Sequence, residues 1–195
     1  MIVMAKKYEF KPDKPRSGLL NRLYLTQKQR RALFKWLFYG LFLLALSVLQ
    51  DVLLCRVQLL GATTELVPCG IFLVCLAEGL EQGSIFSLVA ACLYLFSGTA
   101  AGVYAMVFIT ALAIFVTLFR QSFLRKGFSA AMLCTVVAVF VYELAIFFIG
   151  VFLGLTTLNR IGSICMTAVY TVLTAPVMYP VVAAISNYGG EAWKE

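Results

Sequence analysis

The chain has 195 residues, of which 62% are hydrophobic and 13% charged. A water-soluble domain carries about 45–50% apolar residues, so a soluble globule is excluded and the solvent is lipid. The formal net charge is +7, but most Lys and Arg lie before residue 36, directly ahead of the first apolar run, which points to a membrane surface rather than to nucleic acid. The chain holds no histidine, and Cys55, Cys69, Cys75, Cys92, Cys134 and Cys165 form no C-x-x-C pair. No metal site or cofactor is therefore expected, and the cysteines are expected to be small apolar packers. Cys55 and Cys69 are the only pair placed near a common surface, and no disulfide is expected of them.

A spanning helix needs about 20 apolar residues, so this length holds about six with short connections. The expected domains are a basic N-terminal segment at 1–32, a six-helix transmembrane domain at 33–186 and a short tail at 187–195. In the N-terminal segment, Leu19, Leu20, Leu23 and Leu25 on a basic background read either as an interfacial helix or as a solvated positive flank. The basic stretch is too long for a secretory leader, and the apolar run behind it has spanning length.

The first span is expected from Trp36 to Leu54, with Trp36 and Tyr39 as interfacial anchors. Gly61 to Glu65 reads as a turn and helix start, with Thr64 as N-cap and Glu65 at the positive end of the dipole. A second apolar run covers Leu66–Leu80 and a third Ser84–Phe96. The third is short, so its helix either recruits Glu81 and Gln82 or belongs to a partly re-entrant pair. Ala100–Phe119, Phe128–Leu155 and Ile164–Ile185 complete the set. With six spans, fourteen of the sixteen basic residues fall on one side, leaving Arg56 and Arg160 on the other; by the positive-inside rule both ends are cytoplasmic.

Glu143 lies inside an unbroken apolar helix, and an intramembrane acid is costly enough to be a functional candidate. Proton coupling or a ligand contact stands against a glutamate that only pins helix packing, and the lack of a second intramembrane acid, His or Lys favours packing. Asp51, Glu65, Glu78 and Glu81 read as solvated helix ends. Small residues four apart (Gly79 and Gly83, Gly98 and Gly102, Ala101 and Ala105, Gly150 and Gly154) suit close helix contacts. Ser97, Gly98, Ala101, Gly102 and Ala105 form the candidate interface with a partner helix. Pro176 and Pro180 each remove a backbone donor, so the last helix is expected to be kinked or partly unwound, with Tyr179 placed to bond a freed carbonyl. No nucleotide-binding, serine-hydrolase or zinc-protease motif is present, and no enzymatic chemistry is expected.

In order along the chain, Leu49-Gln50, Leu53-Leu54, Leu59-Leu60-Gly61, Thr64-Glu65-Leu66, Leu95-Phe96-Ser97-Gly98, Gly102, Tyr104-Ala105 and Ala175-Pro176-Val177-Met178-Tyr179-Pro180 resemble the bacterial rod shape-determining protein MreD family. The resemblance covers about residues 40–185. Tyr94 stands where that family usually has an aspartate, and Thr64 where it has a proline. The resemblance implies a non-enzymatic scaffold of the cell-elongation machinery in the bacterial inner membrane. Its partners would be MreC and, through it, RodA, a penicillin-binding transpeptidase and, indirectly, MreB. It also implies an all-α fold similar to the substrate-binding subunits of energy-coupling-factor vitamin transporters. That likeness supplies the alternative function, which is weakened because the Ala-x-x-x-Ala typical of their first span is reduced here to Ala45. A proton-coupled exporter built on Glu143 is a third reading, disfavoured by the absence of relay residues and of an internal repeat.

Overall fold

The computed structural model describes residues 27–188, apart from 53, 55–61, 99 and 124–126. The proposed interfacial helix, Cys55, Arg56 and the end of the tail lie outside the described residues. The described chain is an all-helical membrane protein. Its helices are α1 (Gln27–Val52), α2 (Leu66–Glu78), α3 (Leu80–Phe96), α4 (Val103–Phe123), α5 (Phe128–Phe152) and α6 (Ile161–Tyr188), with one 3-10 turn at Leu158–Arg160 ahead of α6. Four segments are long and apolar enough to cross a bilayer: Arg30–Val52, Val103–Phe123, Phe128–Phe152 and Leu158–Tyr188.

The side chains of α1 are sorted in the reverse of a water-soluble helix. Leu33, Leu37, Leu41, Leu44 and Val48, three or four residues apart, point outward, while Lys35, Tyr39, Leu43, Leu46 and Gln50 point inward. Large apolar groups meet lipid and the polar tips turn to the interior, as expected when the surroundings offer no hydrogen bonds. The same sorting on α5 turns Leu133, Val137, Val141 and Phe148 out and Ala131, Cys134, Ala138 and Tyr142 in. Small residues on the inner faces let the backbones approach closely. Buried Thr117 and Thr135 return their hydroxyls to the carbonyls of Ala113 and Ala131, at 2.7 and 2.8 Å, so neither leaves a polar group unsatisfied.

The shortest helix lies at the centre. α2 reads Leu-Val-Pro-Cys-Gly-Ile-Phe-Leu-Val-Cys-Leu-Ala-Glu and is apolar on every face up to its last residue, a pattern that demands burial all round. Twelve of its thirteen residues are buried. It touches each of the other five helices, which follow one another around it in the order α3, α4, α5, α6, α1. Pro68 sits in its first turn, where a missing N–H costs little.

α2 and α3 are separated by Gly79 alone. That residue has φ 85° and ψ −176°, a backbone region essentially restricted to glycine. Its N–H returns to the Cys75 carbonyl at 3.0 Å, while its own carbonyl takes the Gly83 N–H at 2.9 Å and starts α3. The break therefore falls at Gly79, and α3 starts at Leu80 and includes Glu81 and Gln82. Gly83 lies against Cys75, whose Sγ–H donates to the Gly83 carbonyl at 3.1 Å.

Two other glycine pairs serve a different purpose from the expected helix contact. Gly98 has φ 78° and donates its N–H to the Leu95 carbonyl at 3.2 Å, ending α3. Gly154 has φ 71°; its N–H reaches the Val151 carbonyl at 3.0 Å and the Leu155 N–H reaches the Gly150 carbonyl at 2.8 Å. That pattern is a Schellman C-cap, and it ends α5 at Phe152, before the expected Leu155. α1 begins at Gln27, ahead of the expected Trp36. α6 runs unbroken through Pro176 and Pro180, both exposed on its outer side, so the expected partial unwinding is absent. Tyr179 packs its ring edge-on to Phe128, with centroids 4.9 Å apart.

A Cβ at Gly83 would lie 3.0 Å from the Cys75 backbone, whereas one at Gly40 meets nothing within 4 Å. Gly83→Ala is expected to cost about 1–3 kcal/mol through overpacking and to lower the unfolding midpoint in detergent. Gly40→Ala, which gains the same helix propensity, should not lower it. Equal midpoints for the two variants would contradict the close α2–α3 approach.

Candidate functional site

A helix leaves its first N–H and last C=O groups without internal partners. At 1.5 Å per residue α2 is about 20 Å long, short of a hydrocarbon core of about 30 Å, and both of its ends are met by side chains from other helices.

At the C-terminal end, Glu78 is itself an acid at the negative pole of the dipole, the unfavourable sign. Lys35 of α1 forms a buried ion pair with its Oε2, and the Tyr39 hydroxyl donates to its Oε1 at 2.6 Å. Arg120, from the last turn of α4, donates to the Leu76 carbonyl, so two cations face the carbonyl end of the central helix. Tyr39 and Trp36 also pack on Phe86 of α3, with centroids 5.7 and 5.8 Å apart. Sequence reasoning placed Glu78 at a solvated helix end and counted Lys35 and Arg120 only as cytoplasmic charge. The structure corrects the first: Glu78 is buried among three helices.

At the N-terminal end, the Val67 N–H donates to Gln50 Oε1 of α1 at 3.1 Å, and the Glu65 N–H donates to Thr171 Oγ1 of α6 at 3.0 Å. The expected N-cap, Thr64, is replaced by Glu65, whose side chain makes no cap bond; the capping oxygens come from α1 and α6. Glu65 turns its carboxyl inward instead, where it bonds the Tyr94 side chain of α3. Its Oε2 is buried without a hydrogen-bond partner among the described residues, and so is Glu143 Oε1 on α5. The two carboxyls lie within electrostatic reach of each other. Tyr142, beside Glu143, lies within reach of both and of Tyr94 and Tyr104, and packs edge-on to Phe72 of α2 at 6.3 Å.

Glu143 is thus buried, 5% exposed, and Glu65, half-buried ahead of α2, encloses one carboxyl oxygen as well. Glu65 was missed because an acid at a helix start is normally solvated. The only signal was position: Glu65 immediately precedes a helix with no polar face at all. Tyr94 of α3, which bonds Glu65, is 3% exposed.

The expected partner-helix residues are not gathered on one helix face. Ser97, Gly98 and Ala101 are exposed in the turn between α3 and α4, and Gly102 is half-buried there. Ala105 is 0% exposed inside its own bundle. Gly102 has φ 146°, and a Cβ there would meet the Tyr104 ring at 2.7 Å, so any larger side chain at this position strains the backbone. Cys69 and Cys75 are buried on α2 and Cys134 on α5, whereas Cys165 is exposed. Among the described residues no group of three or more His, Cys, Asp and Glu is placed to hold a metal ion.

No protein-family profile, curated protein or solved structure matches the chain.

Breaking the Lys35–Glu78 pair from one side should be expensive, because it leaves a buried charge uncompensated. Lys35→Met and Glu78→Gln are each expected to cost about 3–5 kcal/mol in unfolding titrations. The double variant should cost clearly less than the sum of the two, and strict additivity would contradict the pairing.

Proposed function

We propose that the chain is a non-enzymatic membrane scaffold of the MreD kind. It binds the single-span protein MreC in a bacterial inner membrane and, through it, supports RodA, its transpeptidase and lateral-wall peptidoglycan synthesis. The observation that carries this reading is the order of short motifs from Leu49-Gln50 to the closing Ala175-Pro176-Val177-Met178-Tyr179-Pro180. The fold is compatible with it: the interior is occupied by α2, and the outer helices present a broad apolar surface on which a single spanning helix can pack.

In this proposal all six helices cross the membrane, with both chain ends in the cytoplasm. α2 crosses although it is short, because five helices shield its ends from lipid and the length requirement applies to lipid-exposed backbone. The placement of Lys35 and Arg120 at one end of α2, with Arg30 and Arg31 exposed at the start of α1, supports that end as cytoplasmic.

Purification in mild detergent followed by mass spectrometry of companions is expected to recover MreC and RodA. Coupling ATPases or a bound vitamin would overturn the scaffold in favour of a transporter subunit. For topology, a periplasm-dependent reporter fused after Glu195 should be inactive; activity would contradict the even number of crossings.

A further inference from the structure

We infer that the opening of α1, led by Arg30 and Arg31, is a docking surface for the phosphate headgroups of anionic phospholipids. The inference stands on charge and on the depth of these residues beside the lipid-facing surface, and it does not depend on the identity of any protein partner.

The first observation is depth. Arg30 and Arg31 are exposed near the start of α1, and the outward apolar stripe of Leu33, Phe34 and Leu37 opens directly after them. Large apolar side chains turned outward mark the level of hydrocarbon, and less than one helical turn separates Leu33 from the two arginines. Aromatic rings mark the same boundary. Trp36 packs on Phe86 of α3 at 5.8 Å, and Tyr188, at the end of α6, packs edge-on to Phe38 at 5.7 Å. The two guanidinium groups therefore stand at headgroup depth, on the water side of the aromatic rings.

The second observation is unmatched charge. α1 has no acid in its first turn, and Arg30 and Arg31 form no ion pair with a described residue. The described acids are placed elsewhere. Glu78 is committed to Lys35 and Tyr39, Glu81 lies in the first turn of α3, and Asp51, near the far end of α1, takes the Ser47 hydroxyl. Glu65 bonds Tyr94, and Glu143 is buried on α5. The sequence adds to the imbalance, with six Lys or Arg and no Asp or Glu from Lys14 to Arg31. The bilayer supplies the matching anion at this depth. An anionic headgroup presents its phosphate alone, whereas a zwitterionic one also brings an ammonium against the arginines. Each Lys or Arg at such a surface favours anionic lipid by about fivefold, and the planar guanidinium fork matches two phosphate oxygens at once. A nucleic acid or an acidic protein would have to displace phospholipid from beside the hydrocarbon to reach the same groups.

The test reads the lipids retained by the full chain in native mass spectra, from a neutral detergent supplied with equal amounts of phosphatidylglycerol and phosphatidylcholine of the same acyl chains. The first lipid retained is expected to be phosphatidylglycerol, favoured by about tenfold. Replacing both arginines, Arg30→Gln with Arg31→Gln, should cut that preference by about fivefold or more. Arg160→Gln, which removes an exposed cation ahead of α6, should leave it unchanged. Equal retention of the two lipids, an unchanged ratio in the double variant, or an equal fall in Arg160→Gln overturns the inference. So does loss of the phosphatidylglycerol when inorganic phosphate replaces acetate at equal ionic strength, which would assign the surface to free phosphate. Displacement by a polyglutamate peptide at the same ionic strength overturns it in favour of an acidic protein. The parent chain supplies a further test that needs no variant to fold. Raising ammonium acetate from about 0.05 M to about 0.5 M should bring the ratio toward one, and a ratio indifferent to salt overturns the inference too.

Discussion

The backbone of α2 is the constraint around which the rest of the bundle is arranged. A helix buried on every face has no water at its ends, and α2 places both ends inside the protein. Each neighbour answers part of that need. α1 supplies Gln50 at one end and Lys35 and Tyr39 at the other, α6 supplies Thr171 and α4 supplies Arg120. Because Gln50 and Lys35 are fifteen residues apart on one helix face, the caps also fix α1 antiparallel to α2 and in register with it. The polar contacts therefore specify the arrangement, while the apolar contacts fill it.

The two ends are chemically opposite. The carbonyl end gathers two cations and one acid, so its charges are largely matched. The amide end gathers two acids and hydroxyl groups, with no cation among the described side chains. Glu65 Oε2 and Glu143 Oε1 are the buried side-chain oxygens left without a hydrogen-bond partner among the described residues.

Much of this was legible in the sequence. The lipid environment, the six apolar helices and the interior position of Glu143 follow from hydropathy and from the cost of a lone acid. The central role of α2 did not follow, because an all-apolar thirteen-residue helix reads equally well as lipid-facing or as buried; only its lack of a polar face, together with its shortness, hinted at enclosure. Gly98 and Gly154 read as helix contacts because spacing is blind to φ, and their positive φ makes them C-caps. Glu65 and Glu78 read as solvated helix ends for a common reason. A charge at the end of an apolar run is usually solvated, and nothing local reports that a partner far along the chain, such as Tyr39 for Glu78, closes over it.

Enclosure of α2 by five helices is the central claim, and access of lipid to the chain tests it most directly. A photoactivatable group carried on the acyl chain of a phospholipid, in nanodiscs holding the folded protein, should label the outward faces of the five surrounding helices, including the Leu33, Leu37 and Leu41 stripe of α1. It should leave residues 66–78 unlabelled until the protein is unfolded. Labelling of 66–78 in the folded protein at a yield comparable to α1 would contradict the account.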